Sequence, residues 1–147
     1  DFPKSIGFLL ENPTFLDMYS GPDNLRLLAG VDNNISADMI NKEIDSLIEE
    51  VGLKSARNKK YKKYSLGMKQ KLGIAAAIME KPELIILDEP SNALDEKSEE
   101  ILWQIVGEEK ERGALILISC HTTETLEKVS DEIFRMDMGQ IKEHMTV

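Results

Sequence analysis

The sequence predicts an α/β fold in which a parallel sheet carries an inserted block of helices. Two apolar runs, residues 84–87 and 114–118, have the length of short strands, and a helical pattern that starts at Asp95 separates them. Alternation of strand, helix and strand implies parallel pairing with a right-handed crossover. A mainly helical stretch, from about residue 13 to residue 82, lies between these elements and one further strand near the N-terminus.

The beginning of the chain is predicted from its strand and helix breakers. Residues 6–10 form an apolar, strand-like run that Asn12-Pro13 ends. A short helix follows over residues 22–29, with Pro22 near its start and Gly30 just past its end.

Serine caps predict the next two helices. Ser36 is a good N-cap for an amphipathic helix that Gly52 ends. Ser65 caps another helix, which runs to about Met79 and stops before Pro82.

The second half of the chain is predicted to alternate strands and helices. Because residues 84–87 are continuously apolar, we expect a strand that is buried on both faces. Asp95 caps the following helix, and Gly113 closes it. A last helix reaches about Val129, and Met138-Gly139 predicts the turn of a terminal hairpin.

Composition excludes several classes of function. The length of 147 residues fits one domain or slightly more, and the net charge of −9 argues against binding to nucleic acid or to an anionic membrane surface. A single cysteine excludes an intrachain disulfide and a cysteine zinc cluster, and favours a reducing compartment. No apolar run approaches the roughly 20 residues that cross a bilayer, so a membrane role requires a partner subunit.

Two acids end the strand at residues 84–87. Asp88 and Glu89 follow it directly, and Pro90 prevents the strand from continuing. Ligand sites in parallel sheets lie at such carboxyl ends, where one acid can hold Mg²⁺ while the next polarises an attacking water. The same pattern also fits a strand that runs into a solvated acidic turn.

Three further residues lie where they can contact an anion. Ser65 lies at a helix N-terminus, whose N–H groups attract negative charge, and Gly67 lets the backbone approach a ligand closely. An ordinary N-cap with a glycine beside it is the alternative interpretation. His121 follows the second apolar strand, where it can hydrogen-bond a phosphate oxygen or hold a water.

These features, in this order, resemble the ATP-binding cassette (ABC) ATPases. Tyr64-Ser-Leu-Gly-Met-Lys-Gln70 resembles the signature motif of the family, and residues 84–89 resemble its Walker B strand. Asn92-Ala-Leu-Asp95 resembles the D-loop, His121 the switch histidine, and residues 6–11 occupy the place of the Q-loop. The residues of the signature and the stretch Leu-Glu-Asn-Pro at 10–13 are similar to those of bacterial exporters of the bacitracin-resistance and lantibiotic-immunity type. The resemblance implies a partial P-loop NTPase core at 1–12 and 83–147, with an inserted α-helical signature subdomain at 13–82.

The resemblance also implies the chemistry of the strand ends, with ATP and Mg²⁺ as cofactors. Asp88 would support Mg²⁺, Glu89 would be the general base toward the hydrolytic water, and His121 would contact the γ-phosphate. Glu11 stands where the family commonly has a glutamine, and its carboxylate could still coordinate Mg²⁺ beside the nucleotide.

Partners follow from the same resemblance. Ser65 and Gly67 would bind ATP held by a second ATPase subunit in a head-to-tail dimer, and Asp95 would help form that contact. A membrane-spanning permease subunit would hold the protein on the cytoplasmic, inner face of the cell membrane. Leu66 and Met68 differ from the residues of the usual signature, so the ATP-binding role of that motif is carried over only to Ser65 and Gly67.

The phosphate loop of this family, GxxxxGK[ST], occurs nowhere in the 147 residues. The chain also starts at Asp1-Phe2-Pro3, without an initiator methionine. We therefore expect a fragment of a longer ATPase that alone neither binds ATP tightly nor hydrolyses it. Two alternatives remain, namely a soluble ABC-type ATPase of DNA repair or translation, and a non-catalytic interaction fragment.

Overall fold

Three parallel strands form the sheet, in the order β1-β2-β3. They are β1 (Ile6–Leu9), β2 (Leu84–Asp88) and β3 (Leu115–Ser119), and both pairings are parallel. The structure, a computed structural model, describes residues 2–29, 36–121 and 123–147, so the predicted helix end at Gly30 lies outside the described residues. The predicted parallel α/β arrangement is confirmed.

Five α-helices and two single 3₁₀ turns are described around this sheet. The helices are α1 (Gly21–Ala29), α2 (Ala37–Glu50), α3 (Leu66–Ile78), α4 (Glu96–Glu111) and α5 (Thr123–Val129), and the 3₁₀ turns are Lys54–Ala56 and Tyr61–Lys63. The two strands β4 (Glu132–Asp137) and β5 (Gln140–Thr146) pair antiparallel as the predicted hairpin. Met138 and Gly139 in its turn both have positive φ, as a tight two-residue hairpin turn requires.

Local capping explains where the longer helices begin and end. The three predicted N-caps each accept a hydrogen bond from the backbone N–H three residues later, with distances of 3.3, 3.2 and 3.0 Å for Ser36, Ser65 and Asp95. Gly52 and Gly113 follow α2 and α4 with φ of +76° and +98°, the left-handed conformation that ends helices. These predictions are confirmed.

The hydrophobic core lies on one face of the sheet. Side chains of α3 and α4 meet those of β2 and β3 around one small void, which is lined by Ile74, Ile78, Leu102, Ile105, Val106, Ile85, Leu87 and Ile116. The same continuous core extends to α1 and α2 through residues such as Leu25, Ile44 and Ile48.

The opposite face of the sheet, which we term the outer face, is apolar and exposed. Ile85 and Leu87 are only 1% and 2% exposed, whereas Ile86 between them is 37% exposed. Its neighbours in register, Phe8 and Leu117, are exposed as well. The expectation that residues 84–87 are buried on both faces is therefore wrong. Side chains alternate across a strand, and the described helices pack on one face only.

Two buried tyrosines near the start of α3 differ in their hydrogen bonding. The Tyr61 hydroxyl donates to the Pro13 carbonyl oxygen at 2.7 Å. The Tyr64 hydroxyl lies beside the Gly21 backbone without a hydrogen bond of good geometry to any described residue. Burial raises the pKa of both phenols.

This difference predicts opposite responses to removal of the hydroxyl. Tyr61→Phe should lower the free energy of unfolding by about 1–2 kcal/mol, because the Pro13 carbonyl loses its donor. Tyr64→Phe should leave the stability unchanged or raise it by up to about 1 kcal/mol, because the buried hydroxyl makes no hydrogen bond of good geometry with a described residue. Urea denaturation of the two variants checks this, and equal losses would contradict the hydrogen bonding described.

Candidate functional site

The predicted acids lie at the carboxyl end of β2, held by β3. Asp88 is in register with Ser119, whose hydroxyl donates a hydrogen bond to Asp88 Oδ1. The Glu89 backbone N–H donates to the Ser119 carbonyl oxygen at 2.9 Å. Because both strands end here, the two carboxylates are fixed at one edge of the sheet, as their sequence position predicts.

Glu89 pairs with His121 at this edge. The distance from His121 Nε2 to Glu89 Oε1 is 3.1 Å. The Glu89 side chain is 12% exposed and the imidazole 95% exposed, so the carboxylate is sheltered while the ring faces solution. The structure thus brings together two side chains that sequence placed on different strands. A carboxylate within hydrogen-bond reach of an imidazole is an arrangement suited to general base chemistry.

The turn that follows Glu89 has an unusual backbone. Glu89 and Ala93 have φ of +48° and +62°, in the left-handed region that non-glycine residues rarely adopt. Such a conformation costs about 1–3 kcal/mol per residue and persists only where the surrounding structure enforces it. We refer to residues 89–93 as the acidic turn.

Gln70 of α3 contacts this turn directly. It is 3% exposed, and its Nε2 donates to the carbonyl oxygens of Glu89 and Pro90 at 3.1 and 3.0 Å. In the sequence, Gln70 ends the signature-like stretch at residues 64–70, and no role was predicted for it. The available signal was composition, since Gln70 lies in a helix whose other buried residues are apolar or small, and an amide buried there needs hydrogen-bond partners.

The N-terminus of α3 carries the predicted anion-binding residues. Ser65 is exposed and caps the helix through the Met68 N–H. A Cβ placed on Gly67 would lie 2.7 Å from the Ala93 carbonyl oxygen, so the helix and the acidic turn approach each other closely at this residue. Within the chain, Gly67 is therefore required for packing, in addition to the ligand contact predicted for it.

The other two predicted residues, Asp95 and Glu11, are both exposed. Asp95 is exposed, and its carboxylate accepts the hydrogen bond from Ser98 that caps α4, which lowers the pKa of Asp95. Glu11 is exposed and lies two residues past the end of β1. Since β1 is parallel to β2, Glu11 is at the same edge of the sheet as the acids.

Oxygen donors of the kind that bind Mg²⁺ lie at this edge of the sheet. Asp88 and Ser119 supply the carboxylate and hydroxyl oxygens that Mg²⁺ prefers. Within residues 2–29, 36–121 and 123–147, however, no three or more His, Cys, Asp or Glu side chains are grouped to hold a metal. Mg²⁺ in nucleotide sites takes one or two carboxylates and completes its shell with phosphate and water, so a site of this kind does not require three protein carboxylates.

Comparison with known proteins identifies the family. The sequence profile described as ABC transporter matches residues 1–92. The chain belongs to the ABC transporter family. Its ABC relatives include an uncharacterized ABC transporter ATP-binding protein, YybJ of Bacillus subtilis, with 42% identity over 96% of this chain and 63% of the relative.

Two relatives carry names that describe transport. The bacitracin transport ATP-binding protein BcrA of Enterococcus faecalis is 39% identical over 98% of this chain and 46% of its own length. The lantibiotic transport ATP-binding protein SrtF of Streptococcus pyogenes is 34% identical over 94% of this chain and 58% of its own length. The chain thus spans about half to two-thirds of the length of these ABC proteins.

Solved ABC structures have the same fold. The ATP-binding subunit of an ABC transporter superimposes with a TM-score of 0.86 at 29% identity, over 96% of this chain and 58% of that one. A dimeric ATP-binding cassette in a post-hydrolysis state with ADP and Pi gives 0.86 at 22% identity, over 97% and 62%. The predicted ABC-type α/β fold is confirmed. None of the helices in the described part of the chain has the length and apolarity needed to cross a membrane.

Proposed function

We propose that this chain is part of the ATP-hydrolysing subunit of a bacterial ABC exporter of the drug, peptide or lantibiotic class. The observation that carries the proposal is the pair of Glu89 and His121, 3.1 Å apart beside Asp88 at the carboxyl end of the sheet. The names of two relatives, which describe bacitracin and lantibiotic transport, support the class of substrate.

The proposed chemistry assigns one task to each side chain. Glu89 accepts the proton of the attacking water, and the shelter of its carboxylate keeps bulk water from competing. His121, whose ring faces solution, holds the γ-phosphate or that water in place. Asp88, oriented by the Ser119 hydroxyl, provides a carboxylate for Mg²⁺. When bound with ATP, Mg²⁺ neutralises charge on the phosphates.

A second ATPase subunit completes the proposed site. Ser65 and the N-terminus of α3 are exposed, so their hydroxyl and N–H groups are available to an anionic ligand from outside the chain. We assign them, with Gly67, to ATP held by the partner in a head-to-tail dimer. Asp95, exposed at the start of α4, belongs to the same contact, and Glu11 lies near the metal at the sheet edge.

The membrane partner is proposed to bind beside β1. An apolar groove of about 360 Å³ follows this strand, with α1 and α3 as its other walls, and Phe8, Leu10 and Leu28 in it are well exposed. We propose that the helical block at 13–82 and the core at 1–12 and 83–147 meet there, and that an apolar helix of the permease fits this groove. The protein would then lie on the cytoplasmic face of the membrane through its partner.

The proposed function is tested in the complete reading frame that contains this chain. Purified with its permease in lipid nanodiscs, the protein should release phosphate from Mg-ATP and lose this activity without Mg²⁺. Stimulation by DNA or by ribosomes instead would favour the repair or translation class. A complete protein with no ATP turnover would overturn the proposal in favour of an interaction role.

The 147-residue chain alone should not bind Mg-ATP tightly. It carries the base but no GxxxxGK[ST] loop, and that loop holds the β- and γ-phosphates in P-loop enzymes. Isothermal titration should therefore show no low-micromolar binding. Thermal denaturation is the control. A ligand at about 100 times its Kd adds about 2.7 kcal/mol of stability, so tight binding would raise the unfolding midpoint at millimolar ATP. An unchanged midpoint therefore supports weak binding. Low-micromolar affinity would contradict the prediction.

A further inference from the structure

The geometry points to Gln70 as a positioning residue that holds Glu89 in its working conformation. This inference rests on the proposed function, in which Glu89 is the general base. Gln70 lies within a helix whose other buried residues are apolar or small, and its two N–H groups are matched by two carbonyl oxygens of the acidic turn. A buried carboxamide with both donors engaged has a defined length and direction.

Glu89 is held through its backbone on both sides. Its N–H donates to the Ser119 carbonyl of β3, and its carbonyl accepts from Gln70 Nε2 and from the Asn92 N–H at 3.1 Å each. With φ at +48°, Glu89 is in a conformation that relaxes unless neighbouring contacts enforce it. The direction of its carboxylate toward His121 depends on that backbone conformation, so the contact from Gln70 acts on the base without touching the substrate.

The same helix contacts both ends of the acidic turn. Gln70 binds its beginning at Glu89 and Pro90, and Gly67 packs at its end against the Ala93 carbonyl. Helix α3 therefore fixes the turn at two points three residues apart along the helix. Since Ser65 caps the first turn of this helix, the proposed contact to the partner's ATP and the proposed base are joined by one rigid element.

The activity test uses the complete protein with Gln70→Met, which keeps the length of the side chain but removes both donors. We expect kcat to fall by about 10- to 100-fold, since a small misplacement of a catalytic group has effects of this size, while KM for Mg-ATP changes less than about 2-fold. Gln104→Met is the matched control, because Gln104 also donates a hydrogen bond, to Glu108, but is exposed on α4. It should leave kcat unchanged.

The variant Q70E tests the donor role through the pH dependence of turnover, with the free energy of unfolding measured over the same pH range to separate a local effect on Glu89 from loss of the fold. Its introduced carboxyl faces two carbonyl oxygens and can donate only when protonated, and this environment raises its pKa. Turnover of Q70E relative to wild type should therefore recover as the pH falls from 8 to 6. A pH-independent ratio would contradict the donor role. If Q70M fails to fold, Q70E carries the test.

A second measurement separates this inference from the proposed function. In the 147-residue chain, Gln70→Met should speed hydrogen exchange of the Asn92 amide by about 10-fold or more, because the acidic turn loosens, whereas Gln104→Met should not. Exchange that stays at the wild-type rate overturns the positioning role. A complete wild-type protein without Glu89-dependent turnover refutes the proposed function alone, whereas Glu89-dependent turnover with an unchanged kcat in Q70M refutes only the inference about Gln70.

Discussion

Glu89→Gln in the complete protein is expected to abolish ATP turnover while ATP binding remains. The amide has the shape of the carboxylate and can still hydrogen-bond His121, but it cannot accept the proton of the attacking water. Loss of a general base costs about 10²- to 10⁴-fold in rate.

The measurement is phosphate release at saturating Mg-ATP, with nucleotide affinity determined separately by equilibrium binding. Glu100→Gln is a suitable control, because Glu100 is an exposed residue of α4 and the same charge is removed away from the sheet edge. Its turnover should equal that of the wild type. If Glu89→Gln also turned over ATP near the wild-type rate, the assignment of Glu89 as the base would be wrong.

The features that could be predicted are those that depend on residues close to one another in the sequence. Ser36, Ser65 and Asp95 cap helices through the N–H three residues later, a relationship contained in a few residues of sequence. The meeting of Glu89 and His121 was also foreseeable, because parallel strands place their carboxyl ends at one edge.

The parts that could not be predicted depend on distant residues. Gln70 donates hydrogen bonds to carbonyl oxygens that are 19 and 20 residues away in the sequence. These groups come within reach only because α3 packs against the acidic turn. The exposure of Ile86 depends on whether another element covers the outer face of the sheet. A continuous apolar run is compatible with a strand covered on one face or on both, so the sequence of the strand does not decide this. The left-handed conformations of Glu89 and Ala93 likewise arise from tertiary contacts and contradict local preference.

Replacement of Gly7 by alanine should have the largest effect on stability. A Cβ at Gly7 of β1 would lie 1.7 Å from the Ala77 carbonyl oxygen of α3 and 2.9 Å from the Pro82 ring. Because the obstacle is backbone, no rotamer change can relieve it, and β1 must separate from α3. Overpacking of this kind costs about 1–3 kcal/mol and sometimes more, and we expect the upper end or beyond. That is a large share of the 5–15 kcal/mol typical of a domain.

Gly107→Ala provides the matched control. Gly107 lies inside α4, and a Cβ there has no described neighbour within 4 Å. Alanine in a helix interior is favoured over glycine by about 0.5–1 kcal/mol, so this variant should be more stable than the wild type. Urea denaturation of the 147-residue chain, with unchanged m-values as the condition for comparison, measures both changes. Equal stabilities of the two variants would show that β1 and α3 are not in backbone contact at Gly7.

The effect of Gly7→Ala should also reach the acidic turn. Helix α3 contacts β1 at Ala77 and the acidic turn at Gln70, two turns earlier along the same rigid element. A displacement of the helix away from β1 therefore changes the geometry of the hydrogen bonds from Gln70 to Glu89 and Pro90. Hydrogen exchange at the Asn92 amide should accelerate in Gly7→Ala as it does in Gln70→Met, and remain at the wild-type rate in Gly107→Ala. If Gly7→Ala unfolds the chain only globally, all protected amides will accelerate together, which distinguishes loss of the fold from displacement of α3.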